Sequence, residues 1–208
     1  GFSLLIDHYA DADGDDTLMQ LVLTLYEFSR SHPWPEHWLR QLVKPFDLRA
    51  ECGIDDTPWS NLLRQEILLQ LENRAWALDR LIQEAEVDPD FFVYAETFAA
   101  DSEMLGELIL AARASWVKLE KAFDGLNFVK LKTVRGGDEA RREYFKARRD
   151  AVKKAVHSLR ESYFVRSGDG LIADMRSLSP LVSALSELVI AFSIAFSQSK
   201  RKKSVLDF

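Results

Sequence analysis

The stretch from Thr57 to Pro89, TPWSNLLRQEILLQLENRAWALDRLIQEAEVDP, decides the fold class. Thr57-Pro58 reads as a helix start, with a hydroxyl residue at the cap and a proline in the first turn, where its missing N–H would have no partner in any case. A long apolar stripe follows through Trp59, Leu62, Leu63, Ile67, Leu71, Trp76 and Leu81. Asp88-Pro89 ends that helix and starts another. The same signals recur outward in both directions. Toward the N-terminus, Asp15-Asp16-Thr17 caps a face made of Leu18, Leu21, Val22, Leu25 and Phe28. Pro33 breaks that helix, and Pro35 opens the next, which carries Trp38, Leu39, Leu42 and Val43. Toward the C-terminus, Ser102 restarts a helix through Leu105, Leu108, Ile109, Trp116 and Leu119. Gly125 and Gly136-Gly137 bracket Phe128-Val129-Lys130-Leu131-Lys132, whose apolar–basic alternation fits a brief extended segment. From Asp138 a helix returns through Tyr144, Phe145, Val152, Val156, Leu159 and Phe164, and Ser179-Pro180 opens the last one. The expectation is an all-α, irregular multi-helix bundle of about six to eight helices, with residues 1–208 as one subdomain.

Composition agrees and narrows the class. Of 208 residues, 47% are hydrophobic and 29% charged, the balance of a globular chain. Nine glycines and six prolines are too few for a turn-rich sandwich or barrel. The single cysteine, Cys52, excludes an internal disulfide and a four-thiolate zinc site. No run reaches 18 uninterrupted apolar residues; Leu178–Phe196 comes nearest, broken by serines and Glu187. No signal-peptide pattern opens the chain. These features point to a soluble, cytoplasmic protein with no membrane partner.

Tests for chemistry come out negative. There is no phosphate-cradling G-x-x-x-x-G-K-[S/T] loop. The acidic run Asp11–Asp16 fails the calcium-loop template, because Asp16 falls where glycine is needed and Val22 where a bidentate glutamate is needed. His8, His32, His37 and His157 lack zinc-ligand spacing, and Cys52 has no Cys-x-x-Cys partner. Trp59, Trp76 and Trp116 read as core residues, and Trp34, between prolines, less so. No catalytic residue, no metal site and no cofactor site is expected in the chain itself.

Charge is the informative signal. The net charge of −6 divides into −14 over residues 1–120, +7 over 121–166 and +1 over 167–208. A basic segment on an acidic body suits a polyanion. Lys130, Lys132 and Arg135 lie on the glycine-bracketed stretch. Arg141, Arg142, Lys146, Arg148, Arg149, Lys153 and Lys154 follow on the next helix, where positions 142, 146, 149 and 153 make one stripe by helical spacing. The candidate DNA-binding set is Lys130, Lys132, Arg135, Arg141, Arg142, Lys146, Arg149 and Lys153. The other reading of the same residues is a solvated face partly neutralised by Glu143 and Asp150.

Three stretches carry a family resemblance. The first is Leu5-Ile6-Asp7-His8-Tyr9, Asp15-Asp16-Thr17-Leu18 and then Leu25-Tyr26-Glu27-Phe28-Ser29-Arg30-Ser31-His32-Pro33-Trp34-Pro35-Glu36-His37-Trp38-Leu39. The second is Met175-Arg176-Ser177-Leu178-Ser179-Pro180-Leu181, and the third is Lys200–Lys203 with Ser204-Val205-Leu206-Asp207-Phe208. Together they resemble AddA or RexA, the larger component of the bacterial ATP-dependent helicase/nuclease, among the UvrD-like helicases. There an L-Y-x-F-x-R-S-x-P-x-P-x-x-W-L segment opens the helical insertion of the first motor domain, subdomain 1B. A terminus that resumes an apolar pattern after a basic run, with no cap, also leads us to expect a piece of a longer protein. The resemblance implies a parent that unwinds DNA 3′→5′ with ATP and magnesium, cuts it as an exonuclease, and works with an AddB/RexB-type partner subunit in recombinational repair of double-strand breaks. It implies for this piece a DNA-guiding role on single-stranded or forked DNA, within the rest of the parent helicase chain. The alternative it leaves open is a module that braces the partner subunit without touching DNA. The P-loop, the Walker B acids and the nuclease residues are not in this sequence, so the parent's activities are not expected of it.

Overall fold

The computed structural model describes residues 14–203 together with Ser3, Leu5 and His8, which are helical; seven α-helices and two 3-10 turns lie within 14–203, with no strand among the described residues. The helices are α1 (Gly14–Ser29), α2 (Pro35–Val43), α3 (Pro58–Glu86), α4 (Val93–Ala114), α5 (Trp116–Asp124), α6 (Glu139–Tyr163) and α7 (Gly168–Lys202). The fold is all-α, as the periodicity predicts. The acids Asp11–Asp13, the terminal stretch Ser204–Phe208 and most of Leu5–Tyr9 lie outside the described residues. The chain forms two compact units, one made of the chain up to Cys52 with the chain from Ile172 onward, the other of Gly53–Leu171.

The central unit is organised around the Thr57–Pro89 stretch. On α3 the buried side chains Ile67, Leu71, Leu78, Leu81 and Ala85 follow a repeating four–three spacing, and the facing α4 buries Tyr94, Phe98, Leu105, Leu108 and Ala112. Phe145 of α6 joins Phe91, Tyr94 and Phe98 in an aromatic cluster with centroids 5.5–6.0 Å apart. Those are spacings at which tilted and edge-on rings attract. A second cluster sets Phe164 against Trp116 at 5.0 Å and Phe123 at 4.8 Å.

Where the expected helix through Leu105 and Trp116 breaks, the cause is electrostatic. Ser115 adopts an extended backbone (φ −165°, ψ 163°), and the Asp55 carboxylate accepts the amides of Trp116 at 2.6 Å and Val117 at 3.3 Å. Ser115 Oγ accepts from the Lys118 amide. The first-turn donors of α5 are thus satisfied by side chains, and a carboxylate sits at the positive end of the helix dipole. At the other side of the break, Arg64 donates to the carbonyl of Ala112 at 2.9 Å, covering the C-terminal end of α4. The expected extended segment at Phe128–Lys132 is irregular chain, and its Val129 carbonyl is taken by the Arg149 guanidinium instead of a neighbouring strand.

The other unit has its own core. Val22 and Tyr26 of α1, Leu39 of α2 and Val189 of α7 are buried together, with Leu18, Leu25, Trp38, Leu185 and Leu188 against them. Tyr26 meets Phe192 edge-on at 5.2 Å, and Ser186 Oγ donates to the Leu39 carbonyl at 2.9 Å. Arg176 donates to the carbonyls of Arg49 at 2.6 Å, Ala50 at 2.7 Å and Cys52 at 3.1 Å. Ser179-Pro180 does not open a helix. Pro180 lies inside α7, losing one backbone hydrogen bond, and burial of Ile172, Ala184, Ser186 and Val189 along the same helix holds it together across that site. One window of the C-terminal helical stretch is long and apolar enough to cross a bilayer, a test that core helices of soluble proteins also pass.

Candidate nucleic-acid interface

The basic residues of 121–166 lie in the central unit, and the structure separates them into engaged and available groups. Helix α6 begins at the cap Asp138, whose carboxylate accepts from the Ala140 amide. Its buried seam is Phe145, Arg149, Val152, Val156 and Leu159. Arg149 therefore does not share an outward stripe with Arg142, Lys146 and Lys153; it points into the core. Its side chain is 4% exposed and its partner Asp101 on α4 is 1% exposed. The guanidinium makes a two-point contact with that carboxylate, Nε at 2.6 Å and Nη2 at 3.1 Å, and gives a further bond to the Val129 carbonyl. Complete pairing is what allows both charges to be buried. The sequence signal was present: Arg149 stands four residues after Phe145 and three before Val152, in the register of the apolar seam rather than opposite it.

Four more members of the set are held by neighbours. Arg141 bridges Glu84 at 3.2 Å and Asp88 at 3.2 Å, and its guanidinium carbon lies 4.5 Å from the Phe145 ring centre. Arg142 donates to the Gly136 carbonyl, and Lys132 pairs with Glu96. Lys146 donates to Glu143 at 2.9 Å, and that hydrogen bond holds its ammonium above the ordinary lysine pKa. Lys153 sits 5.6 Å from the centre of the Phe128 ring, half-buried. Lys130 and Arg135 are exposed on the irregular stretch and have no hydrogen bond or ion pair among the described residues.

A second group is missed by sequence reasoning. Trp76, expected in the core, is 63% exposed, because the buried seam of α3 runs through Leu71, Leu78 and Leu81 and leaves position 76 outside it. A cleft of about 170 Å³ opens beside it between α3 and α6, lined by Arg74, Trp76, Arg80, Glu84, Tyr144 and Arg148 among others. Arg80 lies over the Trp76 ring at 5.2 Å and Arg148 over the Tyr144 ring at 5.5 Å. None of Arg74, Arg80 and Arg148 has an ion pair or hydrogen bond among the described residues, and the Arg74 Nε is buried without a partner. The one acid in the cleft, Glu84, is already shared between Arg141 and the Tyr144 hydroxyl. The sequence clue was the five-residue steps from Leu71 to Trp76 and from Trp76 to Leu81, which take Trp76 out of the three–four register, with Arg80 one helical turn after it.

The chain as a whole has relatives of known name. No protein-family model matches it. Along 100% of its length it is 32% identical to the ATP-dependent helicase/nuclease A subunit of Heliobacterium modesticaldum, covering 16% of that protein. It is 31% identical to the protein of the same name from Geobacillus kaustophilus, covering 17% of it, and 31% identical to that of Clostridium perfringens strain SM101, covering 16%. The chain thus spans about a sixth of the length of the curated relatives it matches. Identity sustained from end to end, at the same share of several such proteins, is what the quoted motifs lead one to expect: over its whole length the chain is similar to one region of the ATP-dependent helicase/nuclease A subunits.

Proposed function

We propose that this chain is the helical accessory subdomain, of the 1B type, of an ATP-dependent DNA helicase/nuclease, and that it guides DNA during processing of double-strand breaks. What supports the reading most is the end-to-end relationship to a fixed fraction of the helicase/nuclease A subunits. A motor of that kind hydrolyses ATP with magnesium elsewhere in the parent and needs a surface that holds the strand without reading its sequence. Lys130, Arg135 and Lys154 fit that task, being exposed cations with no ion pair among the described residues. Each contributes a phosphate contact whose loss lowers the salt slope of binding by roughly 0.7–0.9. The test changes Lys130, Arg135 and Lys154 together to glutamate in the full-length protein and measures DNA affinity from low to moderate salt. Weaker binding with a flatter slope is expected. Unchanged affinity and slope would take these three cations out of the DNA contact and, with unchanged binding in the Trp76 variant described below, reject the DNA-guiding role.

A second reading has an observation of its own. Trp34 is 75% exposed, and Phe28 of the same unit is also largely exposed. Large apolar side chains in such positions suit a protein interface, here the partner subunit of the complex. Under that reading the triple glutamate variant binds DNA normally, while substitution of Trp34 or Phe28 by a polar residue weakens assembly of the complex.

A further inference from the structure

The cleft between α3 and α6 combines three features that rarely coincide on a surface kept for solubility alone. Its walls carry three guanidiniums, from Arg74, Arg80 and Arg148, that no acid neutralises among the described residues. Arg141, Arg149 and Lys132 of the same unit have carboxylate partners, and the unpaired Lys130, Arg135 and Lys154 line no cleft with these arginines. Leaving three arginines without one, around a single depression, concentrates positive potential where an anion could enter. The second feature is Trp76, an indole with most of its surface open, standing at the cleft beside Tyr144. The third is size. At about 170 Å³ the cleft is smaller than the roughly 300–1,000 Å³ of sites that enclose drug-sized ligands, so it takes one planar group with its flanks outside.

A largely exposed indole that carries the Arg80 guanidinium over its ring at 5.2 Å, with two further unpaired guanidiniums around the same cleft, offers the combination of stacking surface and positive charge that recognises an unstacked base on a phosphate backbone. A duplex cannot use it fully, because its base faces are covered by their neighbours along the stack. We infer that this cleft is a single-stranded DNA subsite in which one unpaired base stacks on Trp76, with the adjoining phosphates on Arg74, Arg80 and Arg148. The inference rests on the DNA-guiding reading above and specifies the form of the DNA. Glu84 does not oppose it, since its carboxylate is already held by Arg141 and Tyr144. Tyr144, with Arg141 over its ring at 4.9 Å and Arg148 at 5.5 Å, lines the cleft as well.

The experiment uses the full-length protein and an oligothymidylate carrying 5-iododeoxyuridine, irradiated in complex and digested for mass spectrometry. A base–protein adduct on the peptide containing Trp76 or on that containing Tyr144 is expected. Trp76→Ala should weaken single-strand binding roughly five- to a hundredfold while blunt duplex binding stays as it was. Trp76→Phe, which keeps a π face, should recover most of the loss. Arg80→Glu with Arg148→Glu should lower the single-strand salt slope by roughly 0.7 for each contact. Adducts confined to other peptides with unchanged single-strand affinity in Trp76→Ala would overturn the inference, as would an equal loss on single strand and duplex. Circular dichroism of each variant separates these outcomes from unfolding. If Lys130, Arg135 and Lys154 changed to glutamate weaken binding while Trp76→Ala does not, the subsite alone falls. If neither set has any effect, the DNA-guiding reading falls with it.

Discussion

Arg149 and Lys154 stand five positions apart on one helix and do opposite things. Lys154 is exposed, whereas Arg149 is sealed against Asp101 and the Val129 carbonyl, so that one side chain joins α6, α4 and the irregular stretch after α5. Removing one partner of a fully desolvated pair leaves an uncompensated charge in the core, which costs about 3–5 kcal/mol. Arg149→Ala should therefore lower the unfolding free energy read from urea titration by that amount, and Lys154→Ala should leave it within about 0.5 kcal/mol. Equal stabilities for the two variants would contradict the burial described. The sequence exposes the basic excess of this region but hides which cations are spent inside. Arginine is read as surface by type, and only its register against Phe145 and Val152 betrays the inward one. The same bias concealed Trp76, which is read as core by type although its register places it outside.

Helices were legible where caps and prolines mark them and illegible where a distant side chain sets the boundary. Pro35 and Pro58 stand at the first turns of α2 and α3, as expected from local sequence. The break at Ser115 has only the serine cap itself as a local marker, and the carboxylate that completes it comes from Asp55 on another element. Asp55→Ala should cost about 0.5–2 kcal/mol by orphaning the amides of Trp116 and Val117, read as a lowered thermal midpoint; Asp55→Asn, which still offers an acceptor, should recover part of it. The start of α7 is controlled by space. A Cβ on Gly168 would lie 2.8 Å from Ile54 Cγ2, and the Gly168 amide donates to Glu120 at 3.0 Å. Gly168→Ala must push that branched side chain or the helix start aside, at an expected cost of about 1–3 kcal/mol. A Gly168→Ala variant as stable as the parent would show that the approach is looser than described.

At the scale of the whole chain, the all-α class follows from periodicity, and the division into two units does not. One unit is assembled from residues that the entire central segment separates, and local pattern carries no information about such pairing. Gly168 and Gly170 stand just before the boundary at Leu171–Ile172, but as isolated turn signals they do not mark it as one. The central unit has its own aromatic clusters and its own buried ion pair. Residues 53–171 expressed alone are thus expected to give a helical circular dichroism spectrum and one cooperative urea transition. A featureless, non-cooperative melt would mean that the segment depends on its flanks.

The three carbonyls held by Arg176 lie at Arg49, Ala50 and Cys52, immediately before the chain departs into the central segment, and Arg176 itself lies just after it returns. In polymer language the fastening turns everything between into a tethered loop. The entropy of closing such a loop grows only with the logarithm of its length, about 0.6 kcal/mol for each doubling. The flanking unit is therefore almost indifferent to how much chain is threaded through the clasp. Helical turns can be gained or lost in the insert, reshaping whatever it touches, while the part that anchors it keeps its stability.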